Sequence, residues 1–539
     1  MMTPQRATTR LVAAALLSAL LWGIALLRFP LAIIYGCGLQ NLDRLAQPGV
    51  ATGLVLTNYT CSVAPLETLD TPLAGIGIVM ALAILGLFAA YGLALHTLRH
   101  TSATARLGLL IGGVAIVFVA LLLPIYPVSS IDIYDYAFRG RMAAFYQVNN
   151  FVTTPAPYTD DPLYWYTAWR RSVTAYGPLW EAMSWLTARL AGQHPTVDLP
   201  LLDALLRLLI AYKLLAALGF LLCGLVLWWV LGQLLPEWRA FGTALWLWNP
   251  LALWETVGAG HNDAWMALWI VIAIWAFLRG QQLVATHQQT KLFWPLLAFV
   301  ALTLGGLIKY SALVFGPSLL LAALRQLPTW RQRLALIASG ALICGGLVLL
   351  AYTPFWVGIT TLRNFTDRGE LVYASWLAAL QPALEPWLGK GTSQITANLI
   401  GLGLLALGVL WSIWRGWKNP TDPAGNSLWL LLWFLFIANP WFQPWYLLWA
   451  LALTALQPWR ANVVASMVIF CATALLSYVS GSFLRPALGW PPDSLYWNVL
   501  ISTLIYLPPL IILAHRRPWR NWWQPTKQYS QNQRNPDLA

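Results

Sequence analysis

Residues 204–232 read ALLRLLIAYKLLAALGFLLCGLVLWWVLG, an almost unbroken apolar run whose only charges are Arg207 and Lys213. As a helix rising 1.5 Å per residue, a run of this length crosses the roughly 30 Å of hydrocarbon in a bilayer. Its apolar residues are continuous and do not alternate with polar ones, which rejects a membrane barrel. Similar runs recur on either side, at 11–34, 73–98, 106–126, 240–257, 264–279, 292–308, 310–325, 333–356, 395–414, 427–438, 443–457, 461–480 and 497–514. Backbone amides inside hydrocarbon must bond to one another, so each run is expected to be a helix. The chain therefore reads as an all-α polytopic membrane protein, a bundle of about 12–14 transmembrane helices. The short pair around Asn439-Pro440 fits two spans, one broken helix or a re-entrant hairpin.

Of 539 residues, 59% are hydrophobic and 9% charged, whereas soluble domains carry about 25% charged residues. So few charges cannot cover a water-soluble surface of this size. The net charge of +13 raises nucleic acid as a partner, but Lys and Arg flank the apolar runs and form no stripe interleaved with aromatics, so that partner is set aside. Basic residues beside spans act as topology signals, and many of the 33 Trp lie near span ends, where an amphipathic ring prefers the interface.

With Arg6 and Arg10 taken as cytoplasmic, alternation places Arg99, Arg106, Arg239, Arg279, Lys291, Arg325, Arg331, Arg333, Arg415, Lys418, Arg460, Arg516, Arg517 and Arg520 on the same side. This arrangement predicts a multi-pass protein of the cell (inner) membrane with both termini cytoplasmic. The first run lacks a clear small-residue cleavage site and reads as a retained anchor. Residues 1–523 are expected to form a single integral membrane domain, and the polar tail 524–539 a disordered cytoplasmic segment. Stretches 35–72, 127–203, 258–263, 357–394 and 481–496 then share the extracytoplasmic side. Cys37 and Cys61 lie in the first of these, where an oxidising compartment permits a disulfide. Within the large loop 127–203, Tyr176-Gly177-Pro178 opens an amphipathic stretch from Leu179 to Leu190, expected as a short surface helix.

Several polar clusters fall on that side. The stretch Ser130-Ile131-Asp132-Ile133-Tyr134-Asp135-Tyr136-Ala137-Phe138-Arg139-Gly140-Arg141 follows the third span. A carboxylate leaving the membrane is partly desolvated, which raises its basicity and suits it to take a proton from a hydroxyl. Asp135 and Arg139 stand four apart, the spacing of an ordinary helical ion pair. Asp132 has Tyr136 at that spacing, which makes it the better candidate base. Two further stretches, Pro157-Tyr158-Thr159-Asp160-Asp161-Pro162 and Tyr176-Gly177-Pro178, read alone as turn punctuation. The cluster Glu255-Thr256-Val257-Gly258-Ala259-Gly260-His261-Asn262-Asp263, between two close-set spans, holds His261 and Asp263 at the membrane face, to orient a hydroxyl or phosphate or simply to cap the next helix. Lys309 follows a span on the outer side, where an ammonium either snorkels to headgroups or holds a phosphate leaving group. Arg363 and Arg368 offer a bidentate fork for the same purpose. Asn439-Pro440-Trp441-Phe442-Gln443-Pro444-Trp445-Tyr446 supplies either an interfacial aromatic belt or rings to stack on a sugar. Nothing has zinc-ligand spacing, and a divalent metal is not indicated.

Taken together, these clusters resemble the GT-C class of membrane glycosyltransferases, and within it the bacterial mannosyltransferases that use polyprenol phosphomannose. The resemblance spans about residues 120–450. It rests on Asp132 in Asp-Ile-Tyr-Asp-Tyr-Ala, on Arg139-Gly140-Arg141, Pro157-Tyr158 and Tyr176-Gly177-Pro178-Leu179, on Asn249-Pro250 followed by Gly260-His261-Asn262-Asp263, and on Lys309-Tyr310 and Pro444-Trp445-Tyr446-Leu447. It implies a GT-C-like bundle with an extracytoplasmic active-site loop. The implied reaction carries a hexose, mannose by the resemblance, from a polyprenyl-phosphate carrier to a lipid or glycan acceptor, with inversion. The implied base is Asp132, with Asp135 left open because relatives often carry a small polar residue there. Lys309, Arg363 and Arg368 would balance the phosphate. Tyr136, Arg139, Arg141, Tyr158, Tyr176, His261, Asn262, Asp263, Trp445 and Tyr446 would face substrate. The rival is a transporter or flippase of a lipid-linked glycan, which should show internal repeats and several midspan ionisable residues. No repeat is evident, and the midspan charges are chiefly Arg207 and Lys213.

Overall fold

The computed structural model describes residues 4–31, 73–161, 163–192, 201–285, 292–365, 371–491 and 493–515. Arg368, the Cys37 and Cys61 loop and the tail from Gln524 lie outside the described residues. Within them the chain is helical, and no strand forms beyond two isolated bridges, Pro30 with Ile125 and Tyr373 with Trp441. In chain order the main helices are α1 (Pro4–Arg28), α2 (Leu73–Arg99), α3 (Ala105–Leu122), α4 (Asp132–Phe145), α5 (Pro178–Ala191), α6 (Leu201–Leu234), α7 (Arg239–Leu247), α8 (Pro250–Leu253) and α9 (Asp263–Ala285). They continue as α10 (Phe293–Gly306), α11 (Gly316–Gln326), α12 (Trp330–Tyr352), α13 (Trp376–Leu388), α14 (Lys390–Lys418), α15 (Pro423–Trp433), α16 (Leu447–Ala455), α17 (Ala461–Val479) and α18 (Leu495–Ala514).

Among the described residues, nine helical stretches are long and apolar enough to cross a membrane, and three shorter apolar ones accompany them. Where described, the expected spans coincide with helical segments, but several are interrupted. The span at 240–257 breaks where Asn249 caps α8, accepting from the amides of Leu251 and Ala252, and then widens into a π turn at Trp254–Gly258. The span at 310–325 begins as a 3-10 turn, Tyr310–Phe315, before α11. Around Asn439-Pro440 the chain turns back, because α15 and α16 pack against each other. That pair is a helical hairpin, not one kinked helix.

Helix ends follow local chemistry. Thr104, Thr329, Ser375, Asp422 and Ser494 cap α3, α12, α13, α15 and α18 with side-chain oxygens, each satisfying an amide that has no partner within its helix. Pro508 and Pro509 lie inside α18. Pro509 cannot bond the Ile505 carbonyl one turn earlier, and the Thr473 hydroxyl donates to that oxygen at 2.9 Å, a repair of the kind hydrocarbon demands. Buried Lys213 of α6 donates to the carbonyls of Leu122 and Ile125 at the end of α3, so this midspan charge ties two helices together.

The bundle has a packed centre and a lipid-like rim. Helix α9 lies against α6, α10 and α16, while α17 lies against α18 and α2. By contrast α12 turns large apolar side chains outward, with Leu342 78% and Leu349 71% exposed, the face a membrane-spanning helix presents to hydrocarbon. The expected surface helix is present as α5, which buries Trp180, Glu181, Ser184 and Ala188 and exposes Trp185, Leu186 and Leu190.

The loop alternation is consistent with these contacts. Asp422 meets Arg460, and the side chains of Gln281 and Gln326 reach the Pro420 carbonyl, all on stretches assigned to one side. The stretches assigned to the other side gather elsewhere. The amides of Gly177 and Leu179 donate to the carbonyls of Ile308 and Leu307, joining the start of α5 to the turn that carries Lys309. A Cβ at Gly177 would collide with the Leu307 carbonyl, so only glycine allows this approach. Gly177→Ala should therefore destabilise the detergent-solubilised protein by about 1–3 kcal/mol, read as a lower thermal midpoint. Gly346→Ala, where an added Cβ meets nothing within 4 Å, should leave the midpoint unchanged or slightly raised.

Candidate active site

The gathered ends of these segments surround a cavity of about 370 Å³, within the usual range of roughly 300–1,000 Å³ for small-molecule sites. Its walls bring together Asp132, Tyr176, Lys309, Trp445 and Tyr446 from the sequence-derived set. Among the described residues, Asp132 is the only acid on the lining and Lys309 the only cation. Tyr373 is clamped to the hairpin loop through the Pro440 carbonyl and the Phe442 amide, which fixes the opposite wall.

Asp132 opens α4, where the helix dipole favours an anion. Its amide donates to Ser130 Oγ, the indole of Trp169 stands 3.4 Å from Oδ1, and Oδ2 lies 4.0 Å from His261 Nε2. The side chain is 17% exposed, toward the cavity. Asp135, one turn on, is directed elsewhere. It is buried, 2.7 Å from Arg139 Nε, and accepts from Thr167 Oγ1. Arg139 also donates to the carbonyls of Trp169 and Ser172, so the pair fastens the loop that carries Trp169. The i,i+4 ion pair expected from spacing is therefore present, and it leaves Asp135 off the cavity wall.

Lys309 sits 2.8 Å from Asp263 Oδ1, which also accepts from Trp449 Nε1 at 2.7 Å. The ammonium lies 5.3 Å from the rings of Tyr446 and Trp449 and 5.9 Å from Tyr176, an aromatic cage around a cation. An ammonium has three donors, so one bond to Asp263 leaves capacity for an anion in the cavity.

Tyr136 reaches the edge of this site by meeting Tyr176 hydroxyl to hydroxyl at 3.0 Å. Burial, with Tyr176, Asp132 and Asp263 nearby, pushes its phenol well above the ordinary range and keeps it neutral. His261 is buried behind the wall, stacked on Trp445 with ring centres 3.9 Å apart. Its Nδ1 lies 3.2 Å from Glu255 Oε2 and 3.0 Å from the Glu255 carbonyl. Burial alone would lower this imidazole; the Glu255 carboxylate, followed by Asp132 and Asp263, outweighs burial and raises it. Asn262 is also buried and does not line the cavity.

Other residues of the set are drawn into bracing roles. Arg141 pairs with Asp161 at 2.6 Å, and Asp161 also accepts from the Tyr146 hydroxyl and the Leu163 amide, in keeping with the turn expected there. Tyr158 packs on Tyr146. Arg363 is exposed on the 3-10 turn Ile359–Phe365 and does not line the cavity. Three residues with a place in the site were given no role from sequence, although Glu255 opens the cluster that holds His261 and Asp263. Glu255 is an acid inside an apolar run, a rare and expensive placement that was itself a signal. Trp169 and Tyr373 lie in irregular loops and carry no such mark. Among the described residues, no group of three or more His, Cys, Asp or Glu is arranged to hold a metal.

These features define a polytopic membrane protein whose loops enclose an acid and a caged cation on one aromatic-walled cavity. Residues 45–325 match the model of the alpha-(1->6)-mannopyranosyltransferase N-terminal domain, and residues 375–486 match the MptB C-terminal domain. The chain belongs to this alpha-(1->6)-mannopyranosyltransferase family. It is 26% identical over 382 residues to a probable alpha-(1->6)-mannopyranosyltransferase of Mycolicibacterium smegmatis, an alignment that covers 65% of this chain and 64% of that relative. The crystal structure of the Archaeoglobus fulgidus oligosaccharyltransferase in its apo form is 14% identical and aligns with 78% of this chain and 57% of that one, at a TM-score of 0.38.

The buried pair at Asp135 makes a direct prediction. Asp135→Ala strands the Arg139 guanidinium and should cost about 3–5 kcal/mol of stability. A double-mutant cycle with Arg139→Ala, read by thermal unfolding in detergent, should give a combined loss well below the sum of the two.

Proposed function

We propose that this chain is an integral membrane glycosyltransferase that moves a hexose, mannose by family, from a polyprenyl-phosphate carrier to a hydroxyl of a lipid or glycan acceptor. The reaction takes place at the extracytoplasmic face of the cell membrane, with both termini in the cytoplasm. The observation that carries this reading is the placing of Asp132 and Lys309 on one cavity wall, with Tyr176, Trp445 and Tyr446 beside them.

In this mechanism Asp132 accepts the proton of the acceptor hydroxyl as its oxygen attacks the anomeric carbon from the side away from phosphate. The bond from that carbon to the phosphate oxygen breaks, the electron pair leaves with polyprenyl phosphate, and the anomeric configuration inverts. Lys309 offsets the charge developing on the phosphate, assistance worth several kcal/mol in a water-poor site. Lys309 serves this role in preference to Arg363, which is exposed away from the cavity. The rings of Trp445 and Tyr446 present apolar faces to the sugar.

The test uses the protein in vesicles with a radiolabelled polyprenyl-phosphate mannose and measures transfer. Asp132→Asn should lower the rate by about 10²–10⁴-fold and leave the thermal midpoint unchanged, and Lys309→Met should lower it by about 10²–10³-fold. Wild-type turnover in Asp132→Asn would move the base elsewhere. Sidedness is checked by labelling: a cysteine at Lys390 should react with an impermeant maleimide in intact cells, and one at Asn419 only after permeabilisation. The reverse pattern would overturn the assigned orientation.

A further inference from the structure

The side chains of His261 and Glu255 do not line the cavity, yet both are buried, Glu255 against the imidazole and the imidazole toward the candidate base. Glu255 lies in the π turn at Trp254–Gly258, whose wide pitch, followed by Gly260 at φ 81°, brings the chain back so that His261 Nδ1 faces the Glu255 carboxylate at 3.2 Å. Gly260 is needed there, since a Cβ would meet Ile133 of α4 in addition to the left-handed strain. The far nitrogen, Nε2, points to Asp132 Oδ2 at 4.0 Å. That distance is longer than a hydrogen bond, as is common for catalytic contacts before substrate arrives. Both Glu255 and His261 are fully buried, and Trp445 covers the imidazole face.

We propose that Glu255 and His261 form a buried positioning pair for Asp132: Glu255 holds the imidazole as a cation, and the cation orients Asp132 and keeps it a carboxylate until the acceptor hydroxyl arrives. The inference rests on the proposed function, since it assigns Asp132 as the base. Every charged group facing the imidazole fits this. Glu255 and Asp132 flank it, Asp263 adds a third negative charge that Lys309 balances, and Tyr136 near Asp132 and Tyr478 near Glu255 close the surroundings. The raised imidazole follows from that surplus of acid, and an indole face stabilises a cation further. No proton need leave the pair during transfer; Asp132 receives the acceptor proton and returns it to water once product departs.

The sign of the pH dependence follows. A nearby cation favours ionised Asp132, so losing it raises the pH at which the base is neutralised, and the acid limb of the rate profile moves up. Above the raised imidazole range the cation is lost, which produces an alkaline limb. Glu255→Gln removes the group that holds the proton, so the alkaline limb should move down by at least one pH unit with the donor KM unchanged. His261→Gln should abolish the alkaline limb, raise the acid limb and lower kcat about 10–100-fold. Glu255→Asp, which keeps the charge, should restore most of the alkaline limb.

The assay is transfer from polyprenyl-phosphate mannose in vesicles, across pH. It is paired with ¹⁵N NMR titration of labelled histidine in detergent micelles, in which His261→Gln identifies the signal. Limbs that stay at wild-type pH in Glu255→Gln while the rate alone falls would overturn the positioning role and leave the proposed function standing. A His261 signal that titrates at the same pH in wild type and Glu255→Gln would overturn it as well, and this readout needs no activity. Wild-type protein without transfer from any polyprenyl-phosphate sugar would instead overturn the proposed function, and the positioning role with it.

Discussion

An ammonium at a membrane face must be either solvated or paired, and the pairing of Lys309 with Asp263 is the contact around which the cavity is assembled. Asp263 opens α9, Lys309 follows α10, and Trp449 of α16 donates to the same carboxylate oxygen, so three segments meet at one atom. The turn before Lys309 is in turn sewn to α5 by two backbone hydrogen bonds, which delivers Tyr176 to the cage. Charge pairing here sets position more than it adds stability, because desolvating both ions offsets much of their attraction.

The acid and the cation that line the cavity are set in place by the same economy of contacts. Arg139 pairs with Asp135, Arg141 with Asp161 and Lys309 with Asp263, while Asp132, beside Trp169 and His261, lines the cavity. A site with Asp132 and Asp135 both turned inward would repel an incoming phosphate. The helical spacing of four decides between them, since Arg139 can reach Asp135 and not Asp132.

That spacing was readable in the sequence, as were the spans, because hydrocarbon forces unbroken apolar helices and leaves a plain record of them. The breaks at Asn249 and Tyr310 were not, although Asn249-Pro250 carries a cap signal; within an apolar run, composition outweighs one polar residue. The gathering of Asp132, Tyr176, Lys309, Trp445 and Tyr446 followed from the side each loop must occupy. What could not be read was orientation inside that gathering. His261 was expected to face substrate, but a π turn and one left-handed glycine turn it behind Trp445. Tyr158 and Arg141 were drawn into the packing of the large loop because Asp161, read as a turn residue, is also their organiser.

Trp445 deserves its place between these layers for a physical reason. Its ring borders the cavity and also stacks on His261, whose Nδ1 faces Glu255. A rigid side chain with only two torsions cannot shift toward a sugar without changing its contact with the imidazole. In the proposed reaction, the surface that senses the sugar is therefore mechanically joined to the cation that orients Asp132. Seating of the sugar and alignment of the base are thereby coupled through one ring.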